Sequence, residues 1–214
     1  MTNFEVVPVE NLANALAIRS QSLHVGGGDF PFLKLNQDGS WTFGADKIET
    51  QEQSRWAVNP NSFTEGFIAW GKSEVIDERM VSMTSAAPIL QADLPPVPEA
   101  TKGWQKQLGC MLVCTNGDDK GTQVLFKTSS FGGVKGVRAL VDAVVTQLGT
   151  DQVNIMPIVE LSSENYKHKD WGKIIYSPVF DVKSWVPVDT TDVEPEPEVK
   201  TKAVKKRRRP AATA

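Results

Sequence analysis

The chain has 214 residues, of which 40% are hydrophobic and 23% charged, with 16 Gly and 13 Pro. This composition is ordinary for a globular protein and excludes a collagen, a coiled coil and wholesale disorder. The formal charge of −3 is unevenly spread: residues 1–100 carry 6 basic and 13 acidic side chains, residues 101–188 carry 10 and 8, and residues 189–214 carry 7 and 5. A binder of double-stranded DNA normally presents a dominant basic surface, which this sequence lacks.

Membrane and secretion signals are missing from the sequence. No apolar run approaches the roughly 18 residues of a membrane-spanning helix, and the amino terminus lacks a basic then apolar signal pattern. Two cysteines cannot build the disulfide framework of small secreted domains. We therefore expect a soluble, intracellular protein with no membrane partner.

The two cysteines are better explained as core residues than as ligands. Cys110 and Cys114 alternate with Leu108 and Leu112, which predicts a strand with all four side chains buried on one face. A zinc site would need both cysteines and both histidines, and their spacing fits no zinc-finger pattern. The sequence therefore predicts neither a metal site nor a cofactor.

The first hundred residues predict mainly short strands. Residues 11–20 form the one early stretch with helical character. Apolar runs at 32–35 and 41–43 flank an Asp-Gly turn, which is a good hairpin signal, and further short strands are expected at 56–58 and 67–70. Four prolines make residues 86–100 a connecting loop and a candidate sub-boundary between domains.

The region after the prolines has the clearest pattern. Residues 107–115 and 122–127 predict a hairpin that turns at 116–119. Apolar residues at i, i+3, i+4 spacing predict one long helix over about 131–148, opened by Ser129 and Ser130 and closed by Gly149. A strand at 153–161, a polar loop at 162–173 and a long strand at 174–188 follow.

The order of these elements indicates a fold class. Strand, strand, helix, strand, strand fits an OB-fold, a five-stranded Greek-key barrel, if an earlier strand supplies the missing member. An α+β sandwich would give the same order. We predict a mainly β (α+β) globular domain over 1–188, an OB-fold-like barrel with extra amino-terminal strands. Residues 189–214 have no aromatic side chain and run from acidic to basic, which predicts a disordered tail.

Catalytic motifs are missing, so the sequence predicts a protein that is not an enzyme. It has no Walker lysine loop, dinucleotide glycine fingerprint, HExxH or GxSxG. Gly132-Gly133-Val134-Lys135-Gly136 before the long helix indicates either a phosphate cradle or a tight strand-to-helix turn. It lacks the Gly-Lys-Ser/Thr ending of a nucleotide-binding loop.

A basic and aromatic segment near residue 170 is the candidate binding site. It combines lysines with rings that can stack on bases, as single-stranded nucleic acid requires. Its members are Tyr166, Lys167, His168, Lys169, Trp171 and Lys173, with Tyr176 just beyond. The simpler interpretation is a solvated hairpin whose rings cap the core. Lys127, Lys135 and Arg138 would extend a basic track, with the last two on one helix face.

Two further features could contact nucleic acid. Of six tryptophans, most are expected in the core, and Trp41 and Trp171, which adjoin turns, are the candidates for exposed stacking platforms. The tail run is Lys205, Lys206, Arg207, Arg208 and Arg209. It indicates nonspecific attraction to phosphate or an acidic partner, nuclear localisation or a solubilising tail.

Several of these stretches resemble small bacteriophage proteins. They are residues 158–169, 171–175 and 178–182, together with 56–62 and 66–71. Such proteins are associated with phage replication and recombination genes, and the nearest family with a known role that they resemble is the phage OB-fold single-stranded-DNA-binding protein. The resemblance implies the cytoplasm of an infected bacterium, with single-stranded DNA and replication or recombination proteins as partners. Such binders typically end in an acidic tail, whereas here the basic run follows the acidic stretch.

Two hypotheses from different classes follow. The first is a non-catalytic, phage-type single-stranded-DNA-binding or replication and recombination accessory protein. The alternative is a structural or host-protein-interaction phage protein without nucleic-acid binding, in which the acidic first hundred residues engage the partner. The sequence leaves the oligomeric state open.

Overall fold

A computed structural model describes residues 30–167 and 172–188. Every helix and strand named below lies in the compact unit that begins at Pro31. The predicted early helix at 11–20 and the predicted tail from 189 lie outside the described residues. No helix among the described residues is long and apolar enough to cross a membrane.

The described part of the chain is mainly β with one long helix. That helix, α1, spans Phe131–Leu148 and confirms the predicted helix. The strands are β1 (Phe32–Leu35), β2 (Trp41–Phe43), β3 (Ile48–Glu49), β4 (Arg55–Val58), β5 (Thr64–Trp70), β6 (Val75–Ser82), β7 (Trp104–Cys114), β8 (Gln123–Thr128), β9 (Asn154–Lys167) and β10 (Ile174–Pro187).

The strands form one sheet with a branch at β7. Its main order is β10-β9-β4-β7-β8-β1-β2-β3. The long strand β7 pairs with β5 over residues 104–109 and with β4 over residues 112–114, and β6 pairs with the other side of β5. All these pairs are antiparallel except β1 with β8, which run parallel. The Pro-rich segment connects β6 to β7 and contains a single 3-10 turn, Gln91–Asp93.

Inward-facing side chains of the sheet build the core. Leu108, Cys110, Leu112 and Cys114 are all buried in β7, which confirms the prediction that they share one buried face. Their neighbours include an aromatic cluster in which the rings of Trp41, Phe126 and Phe180 lie 5.4 to 5.8 Å apart. Helix α1 contributes Val137, Leu140 and Val144, the apolar face that its i, i+3, i+4 spacing predicted.

The glycines that precede Lys135 belong to the helix itself. Ser130 is the N-cap of α1, and its side-chain oxygen accepts a hydrogen bond from the Gly133 amide at 3.0 Å. A side chain at Gly132 would collide with Ser177 of β10, and one at Gly136 would lie 2.6 Å from the Pro178 carbonyl oxygen. A side chain at Gly133 would collide with Thr128, the last residue of β8, so this glycine permits the tight strand-to-helix turn that the sequence indicated, whereas Gly132 and Gly136 let α1 approach β10 closely.

The β1–β2 turn docks against the β9–β10 hairpin. The Ser163 hydroxyl donates to the Gly39 carbonyl at 3.0 Å, and the Trp41 indole N–H donates to the Ser162 carbonyl at 3.0 Å. Trp41 is only 5% exposed, so its prediction as an exposed stacking platform is wrong. It follows a turn, but that turn is folded against β9, and the indole points into the core.

Candidate nucleic-acid interface

A groove of about 860 Å³ lies between β1 and β8 on one side and the start of β10 on the other. Leu33, Leu35 and Phe126 contribute to its lining. Its cationic residues are Lys34, Lys127 and Lys173, and Tyr176 adds an aromatic ring. The described residues that line it include no carboxylate, so the groove combines cationic residues with an aromatic residue.

Strand alternation explains why two of the lysines lie side by side. In the parallel pairing of β1 with β8, Leu33 lies opposite Phe126, and both are buried. Because successive side chains of a strand point to opposite faces, the next residues, Lys34 and Lys127, turn away from the core. The ammonium of Lys127 forms an ion pair with the Glu78 carboxylate of β6 at 2.9 Å.

The other side of the groove comes from the start of β10. Lys173 immediately precedes this strand, and Tyr176 is its third residue. A methyl group at Gly39 would lie 2.5 Å from two carbons of the Tyr176 ring, so the ring rests on the glycine of the β1–β2 turn. Within the described residues, no ion pair engages Lys34 or Lys173, which leaves both charges available to a ligand.

The end of the β9–β10 hairpin is paired with residues that line the groove. Lys167 lies opposite Ile174 and so shares a face with Tyr176, because residues two apart in a strand point to the same side. Tyr166, which is 49% exposed, lies opposite Ile175 and points to the other face of the hairpin. The polar loop predicted over 162–173 is wrong for its first six residues, because β9 continues to Lys167 and stays paired with β10. His168, Lys169 and Trp171 of the predicted site lie outside the described residues, as do the five basic tail residues.

The two helical cations lie away from the groove. The Lys135 ammonium is 3.7 Å from the Glu164 carboxylate, beside a smaller crevice of about 180 Å³ between α1 and β10. Arg138 is paired with Asp142 of the same helix at 3.8 Å. The structure therefore brings Lys127, Lys173 and Tyr176 of the predicted residues into one groove, and it does not bring Lys135 or Arg138 there.

The sequence analysis did not predict Lys34, which lines the groove. The signal was present, because Leu33-Lys34-Leu35 alternates as a half-buried strand does, and the lysine is the outward residue. The place of Lys34 beside Lys127 depends on the parallel pairing of β1 with β8. That pairing joins residues about ninety positions apart in the chain.

The described residues that line the groove include no Cys, His, Asp or Glu. Burial raises the pKa of the Cys110 thiol to about 12, so the thiol remains protonated near neutral pH. Among the described residues, no group of three or more His, Cys, Asp or Glu side chains could hold a metal ion. What the groove offers is a binding surface for an anionic ligand with apolar or aromatic parts.

Comparison with known proteins adds no relative to this description. No family model matches the chain, and no matching characterised protein or solved structure was found. The residues of the groove and of the β9–β10 hairpin therefore carry the functional inference.

Proposed function

We propose that this protein binds single-stranded DNA without catalysis, as a phage-type single-stranded-DNA-binding or replication and recombination accessory protein. The observation that carries the proposal is the groove, whose lining includes Lys34, Lys127, Lys173 and Tyr176. Single strands are bound where cations track the phosphates and rings stack on the bases. The groove provides both kinds of group, and Tyr166 is a further exposed ring on the other face of the hairpin.

The connectivity supports an OB-fold-like barrel as the scaffold. If β4 and β5 together are taken as the first strand, then β7, β8, β9 and β10 follow as the second to fifth, with α1 between the third and fourth. β4 pairs with both β7 and β9, as the first strand of an OB-fold pairs with its second and fourth. Oligonucleotides bind OB-folds beside the second and third strands and the loop between the last two. On this alignment of strands, the groove and the hairpin end would correspond to these places.

Two energetic contributions would combine in binding. A base stacked on Tyr176 or Tyr166 is worth about 1–3 kcal/mol. Each lysine that neutralises a phosphate makes the affinity depend on salt, with a slope of about 0.7 in log affinity against log salt for single strands. Two lysines thus account for a slope of about 1.4, or about a 25-fold change in affinity at ~0.1 M salt.

The proposal is tested by salt-dependent binding of a fluorescently labelled oligothymidine, measured by anisotropy on the full chain. The double variant Lys34→Ala/Lys173→Ala should lower the salt slope by about 1.4. Its matched control, Lys72→Ala/Lys120→Ala, removes two exposed lysines from the β5–β6 and β7–β8 turns, outside the groove. The control should keep the wild-type slope and affinity.

Two results would count against the proposal. If the wild type does not bind oligothymidine at low salt, the DNA-binding function is refuted, and the host-protein-interaction hypothesis takes its place. If both double variants lose the same affinity and slope, binding reflects general charge, and the groove is not the site.

A further inference from the structure

One of the three groove lysines already has an anionic partner. The Lys127 ammonium lies 2.9 Å from Glu78, and only 25% of the Lys127 side chain and 33% of the Glu78 side chain are exposed. An ion pair this sheltered is screened less than a fully exposed one. Any phosphate that uses Lys127 must therefore compete with Glu78.

This pair spans strands that are not neighbours. Glu78 lies in β6 and Lys127 in β8, and both β5 and β7 run between them. One glycine clears the way across β7. Gly109 lies directly opposite Lys127, whose Cγ is 3.2 Å from the place that a Cβ at position 109 would occupy. Gly66 of β5 has a different role, because a Cβ there would collide with the Arg79 backbone, so this glycine lets β6 approach β5 closely.

A second contact holds the carboxylate in place. The Gln107 amide group, which is buried, donates to the other oxygen of Glu78 and lies 3.7 Å from the Met80 sulfur. Glycine within a strand often marks a place where another group approaches closely. Here the Lys127 side chain passes close to Gly109, and Glu78, Gln107 and Lys127 form one network.

From this arrangement, and resting on the proposed function, we propose that Glu78 is a built-in counter-ion that limits the affinity of the groove for phosphate. A DNA phosphate displaces the Glu78 carboxylate from Lys127, and the carboxylate is left on Gln107 and water. In the free protein Lys127 is already neutralised, so it contributes little to counter-ion release. Removing the charge at position 78 would make Lys127 a third full phosphate contact beside Lys34 and Lys173.

The test compares Glu78→Gln with the wild type in the oligothymidine titration. The glutamine keeps the size of the side chain and an oxygen that can accept the Gln107 hydrogen bond. We expect the salt slope to rise by about 0.7 and the affinity to rise about fivefold at ~0.1 M salt. The matched control is Asp142→Asn, which removes the carboxylate paired with Arg138 on α1 and causes the same change in net charge.

Two further arms make the result decisive. The double variant Glu78→Gln/Lys127→Ala should lose the gain, because the gain acts through Lys127. Inorganic tripolyphosphate, measured by calorimetry, tests the same competition without DNA. A purely structural ion pair would instead show lower stability in Glu78→Gln, with the salt slope unchanged.

The outcomes separate this inference from the proposed function. If the wild type fails to bind oligothymidine but Glu78→Gln binds tripolyphosphate more tightly than Asp142→Asn does, the DNA function is refuted and the counter-ion role stands. If Glu78→Gln and Asp142→Asn behave alike with both ligands, or neither binds either ligand, the counter-ion role is overturned. DNA binding by the wild type in that case leaves the proposed function standing.

Discussion

Replacing Gly39 with alanine should destabilise the protein more than the same change at Gly121. Both glycines lie in hairpin turns and have nearly the same backbone angle, with φ of +85° and +86°. They differ in their surroundings. A methyl group at Gly121 would meet nothing within 4 Å, whereas one at Gly39 would lie 2.5 Å from the Tyr176 ring and 3.0 Å from the Ser163 hydroxyl.

The expected magnitudes follow from this difference. Placing an L-residue at positive φ costs about 1–2 kcal/mol, and about 0.4–1 kcal/mol is recovered because the unfolded chain loses freedom. Gly121→Ala should therefore lower the free energy of unfolding by about 1 kcal/mol. Overpacking adds about 1–3 kcal/mol at Gly39, so Gly39→Ala should lower the free energy of unfolding by about 2–4 kcal/mol.

Urea unfolding of the two variants measures the difference, through a shift in midpoint at constant slope. Gly39→Ala should also weaken oligothymidine binding, because the added methyl displaces the Tyr176 ring from the groove, whereas Gly121→Ala should bind as the wild type does. Equal destabilisation by the two changes, to within about 0.5 kcal/mol, would refute the claim that the Tyr176 ring rests on Gly39.

Two other changes test the helix and the core. Ser130→Ala removes the hydrogen bond to the Gly133 amide and should lower the free energy of unfolding by about 0.5–2 kcal/mol in urea, with Ser129→Ala as the control; equal effects would contradict the cap. Burial raises the pKa of the Cys110 thiol from 9.0 to about 12, so the native thiol keeps its proton at pH values where the unfolded thiol loses it. As the pH rises from the lower to the higher of these two pKa values, the Cys110 thiol should lower the free energy of unfolding by about 1.4 kcal/mol per pH unit. Cys110→Ala should lack that contribution. Identical pH dependence of stability in the two proteins would contradict the burial of the thiol.

Much of the local structure could be predicted because it depends on short-range patterns. The apolar spacing of α1, with Ser130 before it and Gly149 after it, identified the helix over its full length. The Asp-Gly turn before Trp41 placed the first hairpin correctly, and alternation in β7 placed both cysteines in the core. The sequence did not predict strand β6 or the last residues of β9, because the residues there do not alternate between apolar and polar.

The sequence by itself determined these elements and the residue types of a basic and aromatic surface, since helix periodicity, strand alternation and turn chemistry act between near neighbours. Only the tertiary structure decided which of those residues meet. The parallel pairing of β1 with β8 placed Lys34 beside Lys127, and docking of the β1–β2 turn on β9 buried Trp41 and seated Tyr176 on Gly39. Gly109 in β7 lets the Lys127 side chain pass toward Glu78. Each of these contacts joins residues distant in the chain, so its energy depends on the fold and leaves no local pattern in the sequence.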